Sequence, residues 1–166
     1  MITFRPLTAD EFTAFTDYFI ADYAAEIVSN DRISQEDALR QARQTILSSF
    51  PDGEKTTGHV ILSITDTSKD NAQPVGYLWY KPDLAFGSVF INDFYLFPAF
   101  RRQGLGRASM AALEKRLIEQ GFTQIRLRVA ADNPSARQLY DTAGFQVTGI
   151  NMNKVLTPVS GKEPLP

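Results

Sequence analysis

The chain has no cysteine, one histidine, one tryptophan and no apolar run approaching the roughly 18 residues that suggest a membrane helix. Without cysteine there is no disulfide, no thiolate nucleophile and no cysteine-based metal site. With one histidine and no cluster of histidine and carboxylate in the sequence, no metal is expected. A dominant charge is missing too: Lys and Arg total 17 against 19 Asp and Glu, for a net charge of −2. Nucleic acid and anionic lipid therefore have no general hold on the chain, and neither is expected as a partner. The opening MITFRPLTADEF reads as neither signal peptide nor membrane span, so the expected location is cytoplasmic.

What is present suits one compact domain: 166 residues, 43% of them hydrophobic and 22% charged. Ile2 to Leu7, with Phe4 and Pro6, predicts a first, edge strand. Thr8-x-x-Glu11 is a capping box before Phe12, Phe15, Phe19, Tyr23 and Ile27, the buried stripe of an amphipathic helix with Tyr18, Asp22 and Glu26 on its flank. Ser34 and Asp37 open a second helix that buries Leu39, Ala42 and Ile46 and ends at Phe50-Pro51-Asp52-Gly53. His59 to Thr65 and Val75 to Tyr80 predict an antiparallel pair, followed by a strand over Ser88 to Leu96. Met110, Leu113 and Leu117 give a helix that stops at Gly121, and Gln124 to Ala130 alternates as a strand. Asn133-Pro134 opens a last helix closed by Gly144, and Val147 to Leu156 predicts one or two final strands. Residues 1–156 are thus one domain, while 157–166, with three prolines, are expected to be a loose tail.

The stretch Asn92 to Arg107, NDFYLFPAFRRQGLGR, joins a strand that stops at Pro98 to a helix through three arginines and Gly104-x-Gly106. Glycines let the backbone curl until successive N–H groups converge, and the helix adds its positive end, so the loop suits an anion such as a diphosphate. A dinucleotide fingerprint is excluded, because Ser109 occupies the third glycine position and the next strand carries no acid before Asp132. A Walker loop is excluded by the lack of Gly-Lys-Ser/Thr. Arg101-x-x-Gly104-x-Gly106 after a strand ending Leu96-x-Pro98 resembles the acetyl-CoA pyrophosphate loop of the GNAT superfamily of N-acetyltransferases. The run Asn133, Ala136, Leu139, Tyr140, Gly144 and Phe145, spelling N-x-x-A-x-x-L-Y-x-x-x-G-F, is similar to that superfamily's C-terminal motif. The likeness covers about residues 75 to 156.

The resemblance implies an α/β fold: a mixed sheet of about seven strands, helices on both faces, and two central parallel strands splayed apart. It implies acetyl-CoA as co-substrate, lying in the gap. Phe94, Tyr95 and Leu96 would face the pantetheine arm. The N–H groups of Arg102, Gln103, Gly104, Leu105, Gly106 and Arg107 would receive the diphosphate, with Arg101, Arg102 or Arg107 reaching outer phosphates. Asn133, Ala136 and Tyr140 would approach from the other side. Tyr140 takes the general-acid role, and a backbone N–H near Leu96 the developing oxyanion. The implied reaction is direct attack by a primary amine, from a small molecule or a peptide, on the thioester.

Each residue also has a plainer reading. Tyr140 is otherwise a packing tyrosine, and Asn133 is a helix cap, a cofactor contact or both. Asp93, the only acid in its strand, is a base, a ligand for a cationic acceptor or a solvent-facing carboxylate. His59 suits a surface role, Asp22 and Glu26 solvated helix charges, and Tyr77, Trp79 and Tyr80 mostly core, with one free to wall an acceptor site. The rival to an enzyme is an acyl-CoA-binding sensor of the same fold without turnover. Monomer and homodimer are both open.

Overall fold

The fold starts from a clasp between its first two elements. In strand β1 (Ile2–Pro6) Arg5 places both guanidinium nitrogens on Glu11, at 2.7 and 2.8 Å, where helix α1 (Ala9–Asp31) begins. Glu11 also accepts from the Thr8 N–H at 2.9 Å, while the Thr8 hydroxyl accepts from the Glu11 N–H at 3.2 Å, so the capping box forms as the sequence predicts. The Arg5 hydrogen bonds hold the Glu11 carboxyl down at about 2. Helix α2 (Gln35–Ser49) is capped by Ser34 and lies against α1 through Ala24, Ile27, Ala38 and Ala42. Leu39, expected in that stripe, is half-buried, and Ala38 takes the buried place.

The computed structural model describes residues 1–158 and Gly161. Its single sheet runs in chain order: β1, β2 (Val60–Asp66), β3 (Gln73–Asp83), β4 (Ser88–Leu96) and β5 (Gln124–Leu127). The pairs are antiparallel except β4 with β5, which is parallel and reached through helix α3 (Leu105–Glu119). Helices cover both faces, as the alternation requires. On one face α3 and helix α4 (Pro134–Thr142) bring Met110, Leu113, Leu117 and Tyr140 onto Leu62, Ile64, Leu78, Tyr80, Val89 and Ile91. On the other, Phe15, Phe19 and Ile46 from α1 and α2 meet Ile61, Tyr77 and Trp79.

Two expectations are corrected. The sheet has five strands, not about seven, because Val147 to Leu156 forms no ladder among the described residues. Gly149, Asn151 and Asn153 break the β-forming run, and Ile150, Met152 and Leu156 stay exposed. Strand β5 also ends at Leu127 rather than Ala130. Of the tail expected to be loose, 159, 160 and 162–166 lie outside the described residues. No helix of the described residues is long and apolar enough to cross a membrane.

Candidate active site

A single extra residue in β4 decides which way its functional end faces. Tyr80 pairs with Ile91 but Trp79 pairs with Asp93, leaving Asn92 as a bulge. Before the bulge Val89 and Ile91 pack toward α3; after it Phe94 and Leu96 do, and Tyr95 and Phe97 turn toward α1. Strict alternation from Ile91 would have put Asp93 on the α3 face. Instead it points at α1 and accepts from the Tyr18 hydroxyl, whose oxygen lies 3.1 and 3.0 Å from the two carboxylate oxygens. The main chain opposite is bare for the same reason. A Cβ on Gly76 of β3 would stand 2.0 Å from the Tyr95 carbonyl oxygen, so only glycine lets the bulged strand lie there.

Around Asp93 the wall is aromatic. The Tyr18 ring stacks on Tyr95 with centroids 3.7 Å apart, and Tyr77 stacks beside it at 6.0 Å. Burial among these groups pushes the Asp93 carboxyl up to about 7; the Tyr18 hydrogen bond works the other way, and the charges of Asp22 and Glu26 add to the rise. Glu26 is not a free helix charge, since Arg128 beyond β5 pairs with it at 3.0 Å. Ser29 donates to Asp132 at 2.8 Å. A hollow of about 270 Å³ lies between α1 and residues 130–133, with Asp22, Glu26, Asp132 and Asn133 in its lining.

Strands β4 and β5 pair only from Ser88 with Gln124 to Ile91 with Leu127, so the end of β4 through Leu96 has no strand partner on that side among the described residues. Beyond it a turn at Pro98–Phe100 leads to Arg102 at φ 61° and Gly104 at φ 78°, which starts α3. The first helical bond runs from the Ala108 N–H to the Gly104 carbonyl. Among the described residues no N–H from Arg102 to Arg107 donates to a protein group, and the space about the Gly104 Cβ position is open to 4 Å. The arginines differ. Arg101 turns back, its Nε donating to the Leu96 carbonyl at 2.9 Å and its guanidinium 5.1 Å from the Tyr95 ring centroid. Arg102 reaches Ser135 at 3.2 Å, while Arg107 is exposed and has no ion pair among the described residues. Gln103 donates to the Ala99 carbonyl, and Leu105 packs on the α3 core. A Cβ on Gly106 would touch Leu139 at 3.4 Å and Leu96 at 3.6 Å, so this glycine brings α3, α4 and β4 together.

At α4 the Asn133 side chain accepts from the Ala136 N–H at 3.1 Å, with Pro134 in the first turn, so the cap exists. Ala136 packs on the α3-side core. Tyr140 is buried, its ring edge-on to Phe145 at 5.5 Å, yet its hydroxyl has no hydrogen-bond partner among the described residues. Burial first, and the Asp93 charge second, push that phenol up to about 12. It also lines a larger hollow of about 1030 Å³ along β5.

The comparisons with known proteins bear on the family and the fold. The acetyltransferase (GNAT) family model matches residues 12–145. The chain belongs to the GNAT acetyltransferase family. It is 32% identical over 157 residues to the uncharacterised N-acetyltransferase YycN of Bacillus subtilis, covering 93% of this chain and 99% of that one. The YycN crystal structure matches with a TM-score of 0.87 over 95% of this chain and 100% of that chain. YdgE of the same organism, also an uncharacterised N-acetyltransferase, is 29% identical over 156 residues, 93% of this chain and 98% of that one. The PaiA N-acetyltransferase of Thermoplasma acidophilum, solved with coenzyme A, shares the fold at a TM-score of 0.66 and 17% identity, with 91% of this chain and 93% of that chain covered.

In this GNAT enzyme the residues singled out in the sequence fall into two groups. Phe94 and Leu96, the loop from Arg101 to Arg107, and Asn133, Ala136 and Tyr140 surround the unpaired end of β4 and the start of α3, while Tyr95 turns to the α1 face. Asp93 stands apart on the other face, beside Tyr18, to which sequence reasoning gave no role. A signal was present: Tyr18, Asp22 and Glu26 recur every fourth residue along one face of α1. His59 is not a surface residue either, since it is half-buried and its Nδ1 accepts from the Trp79 indole at 3.0 Å.

Proposed function

We propose that this N-acetyltransferase moves the acetyl group of acetyl-CoA to a primary amine by direct attack on the thioester, with Asp93 as base and Tyr140 as acid. The observation that carries the reading is the pair itself: a carboxyl raised to about 7 and a phenol raised to about 12, in environments that set their tasks apart. A base near 7 is half ionised at working pH and accepts the ammonium proton without holding it too tightly. A phenol near 12 keeps its proton until a thiolate needs it.

The loop suits the CoA diphosphate, since its unpaired N–H groups from Arg102 to Arg107 and the open approach at Gly104 form an anion cradle at a helix start. Arg107, and Arg102 after leaving Ser135, are the cations available to outer phosphates. The bound thioester supplies an activated acyl carbon. Along the unpaired edge of β4 a backbone N–H near Leu96 would stabilise the oxyanion, and the Arg101 bond to the Leu96 carbonyl holds the peptide group that follows it. Asp93 takes the ammonium proton and passes it to water; the free amine then forms the new C–N bond, and the second proton that its nitrogen sheds goes to Asp93. The C–S bond breaks, and the sulfur takes the Tyr140 proton, which returns from Asp93 through water. The acceptor is a cation before it reacts, which fits the acidic lining of Asp22, Glu26 and Asp132.

The test is a screen of simple amines, polyamines, aminoglycosides and peptide N-termini for acetyl-CoA-dependent thiol release. One acceptor with turnover and an acidic pH limb near 7 is the expected result. Acetyl-CoA binding without thiol release from any amine would return the protein to a sensing role. Absence of binding would reject the reading.

A further inference from the structure

We propose that Tyr18 is a positioning residue for acetyl transfer, its hydroxyl fixing the Asp93 carboxylate from helix α1. The inference rests on Asp93 being the base. One phenolic proton faces both carboxylate oxygens, at 3.1 and 3.0 Å, so the bond is three-centred and the phenol lies between them. Such a bond fixes the rotation of the carboxylate and leaves the outer lone pairs of both oxygens for an ammonium. The ring is itself held: it stacks on Tyr95 at 3.7 Å and 23°, and Phe15 lies 6.2 Å away on the inner side. Packing alone would need the ring and not the hydroxyl.

The charged surroundings make that hydroxyl matter more. From α1, Asp22 and Glu26 oppose ionisation of Asp93, with Glu26 partly neutralised by Arg128 from beyond β5. From α4 comes Tyr140, from β3 Tyr77 and from β4 Tyr95, all phenols without positive charge. Arg101 acts on Asp22 rather than pairing with Asp93. Tyr18 is therefore the one hydrogen-bond donor to this carboxylate among the described residues. Burial first, and then the charges of Asp93 and Asp22, hold its own ionisation far above the ordinary phenol range, so it stays a donor at every working pH.

The experiment needs no acceptor. Protein labelled with [γ-13C]aspartate is titrated by NMR, and the Asp93 signal is assigned by its loss in Asp93→Asn. In the wild type its midpoint is expected near 7. In Tyr18→Phe, which keeps the stacked ring, the midpoint should rise by about one pH unit, the scale of one lost hydrogen bond to a charged group. Tyr18→Met, a second variant without a donor, is read alongside so that the answer does not hang on one variant folding. An unchanged midpoint in either folded variant overturns the proposal. The underlying reading fails separately: if Asp93→Asn keeps the acidic limb of acetyl transfer, Asp93 is not the base and the positioning role falls with it, whatever the NMR shows.

Discussion

On the α3 face, the groups of the site are held mainly by their neighbours in the chain: Gly104 sets the loop, Asn133 caps its own helix three residues on, and Tyr140 sits two turns later. On the α1 face, the holding contacts span the whole molecule. Tyr18 and Asp93 are 75 residues apart, Glu26 and Arg128 are 102, Ser29 and Asp132 are 103. One face is a local device that any chain can carry as a motif, and the other exists only once the sheet has brought α1 over β4. The proposed reaction draws on both, and they meet at the bulge: residues 94 and 96 pack on one side, residues 93 and 95 on the other. A family can thus keep its cofactor side while changing what it accepts, because the two are separated by the pleat of one strand.

The comparison breaks most sharply at Asp93. Asp93→Asn should cost about 10² to 10⁴-fold in turnover, the range of general-base catalysis, with CoA affinity unchanged. The acidic limb near pH 7 should vanish with it. The sign on stability is opposite. The folded carboxyl binds its proton above the usual 3.8, so between about 4 and 7 the native state holds a proton that the unfolded chain has released. Stability conferred at low pH is lost as pH rises through 7, and the Asn variant should escape that loss. Denaturation at pH 5 and pH 8 checks it. An activity loss paired with weaker CoA binding would mean that the two faces are not separate.

On the opposite face, Tyr140→Phe should lower the single-turnover rate by about 10² or somewhat less, since a thiolate already leaves well. Because the hydroxyl has no partner among the described residues, stability should not fall. A folded variant with an unchanged chemical step removes Tyr140 from the mechanism.

Gly104 is a smaller test of the same face. Gly104→Val forces a β-branched residue to φ 78°, at a cost of about 1–2 kcal/mol, and should weaken CoA binding about tenfold. Gly104→Asn tolerates that backbone but still adds a side chain. If Asn restores affinity, the loop's conformation is what matters; if it does not, the ligand's close approach is. Calorimetry with CoA decides.

How much of this was legible follows the same division. The helix caps, the glycine loop, the Asn133-Pro134 start and the Tyr140 spacing act within a few residues, and each is found where the sequence puts it. The Asn92 bulge was not legible, because it is defined only against Tyr80 and Trp79 of another strand. Gly76 reads as an ordinary glycine until Tyr95 lies against it. The missing final strands err in the other direction: Val147, Ile150 and Val155 have β-propensity, but propensity without a partner strand makes no ladder.

The smallest expected effect tests whether the aromatic wall under Asp93 is scaffold alone. Trp79 is 2% exposed, pairs in register with Asp93, and donates its indole N–H to His59 Nδ1. His59→Leu removes the acceptor and should cost about 1–3 kcal/mol, the penalty for leaving a buried donor unsatisfied, while His59→Gln can restore part of it. Burial, and then Lys81, lower the His59 pKa below 6.5. The unfolded chain therefore takes its proton first as pH falls. Stability present above about 6.5 is lost as pH drops through the folded value, where protonation also removes the lone pair that Trp79 uses. The Leu variant should lack this acid sensitivity and keep its chemical step. Denaturant midpoints at pH 5 and 7.5, read beside single-turnover rates, separate the outcomes. If the rate falls as far in His59→Leu as in Asp93→Asn, the wall positions the base as well as supporting it, and the α1 face is one coupled unit down to its second layer.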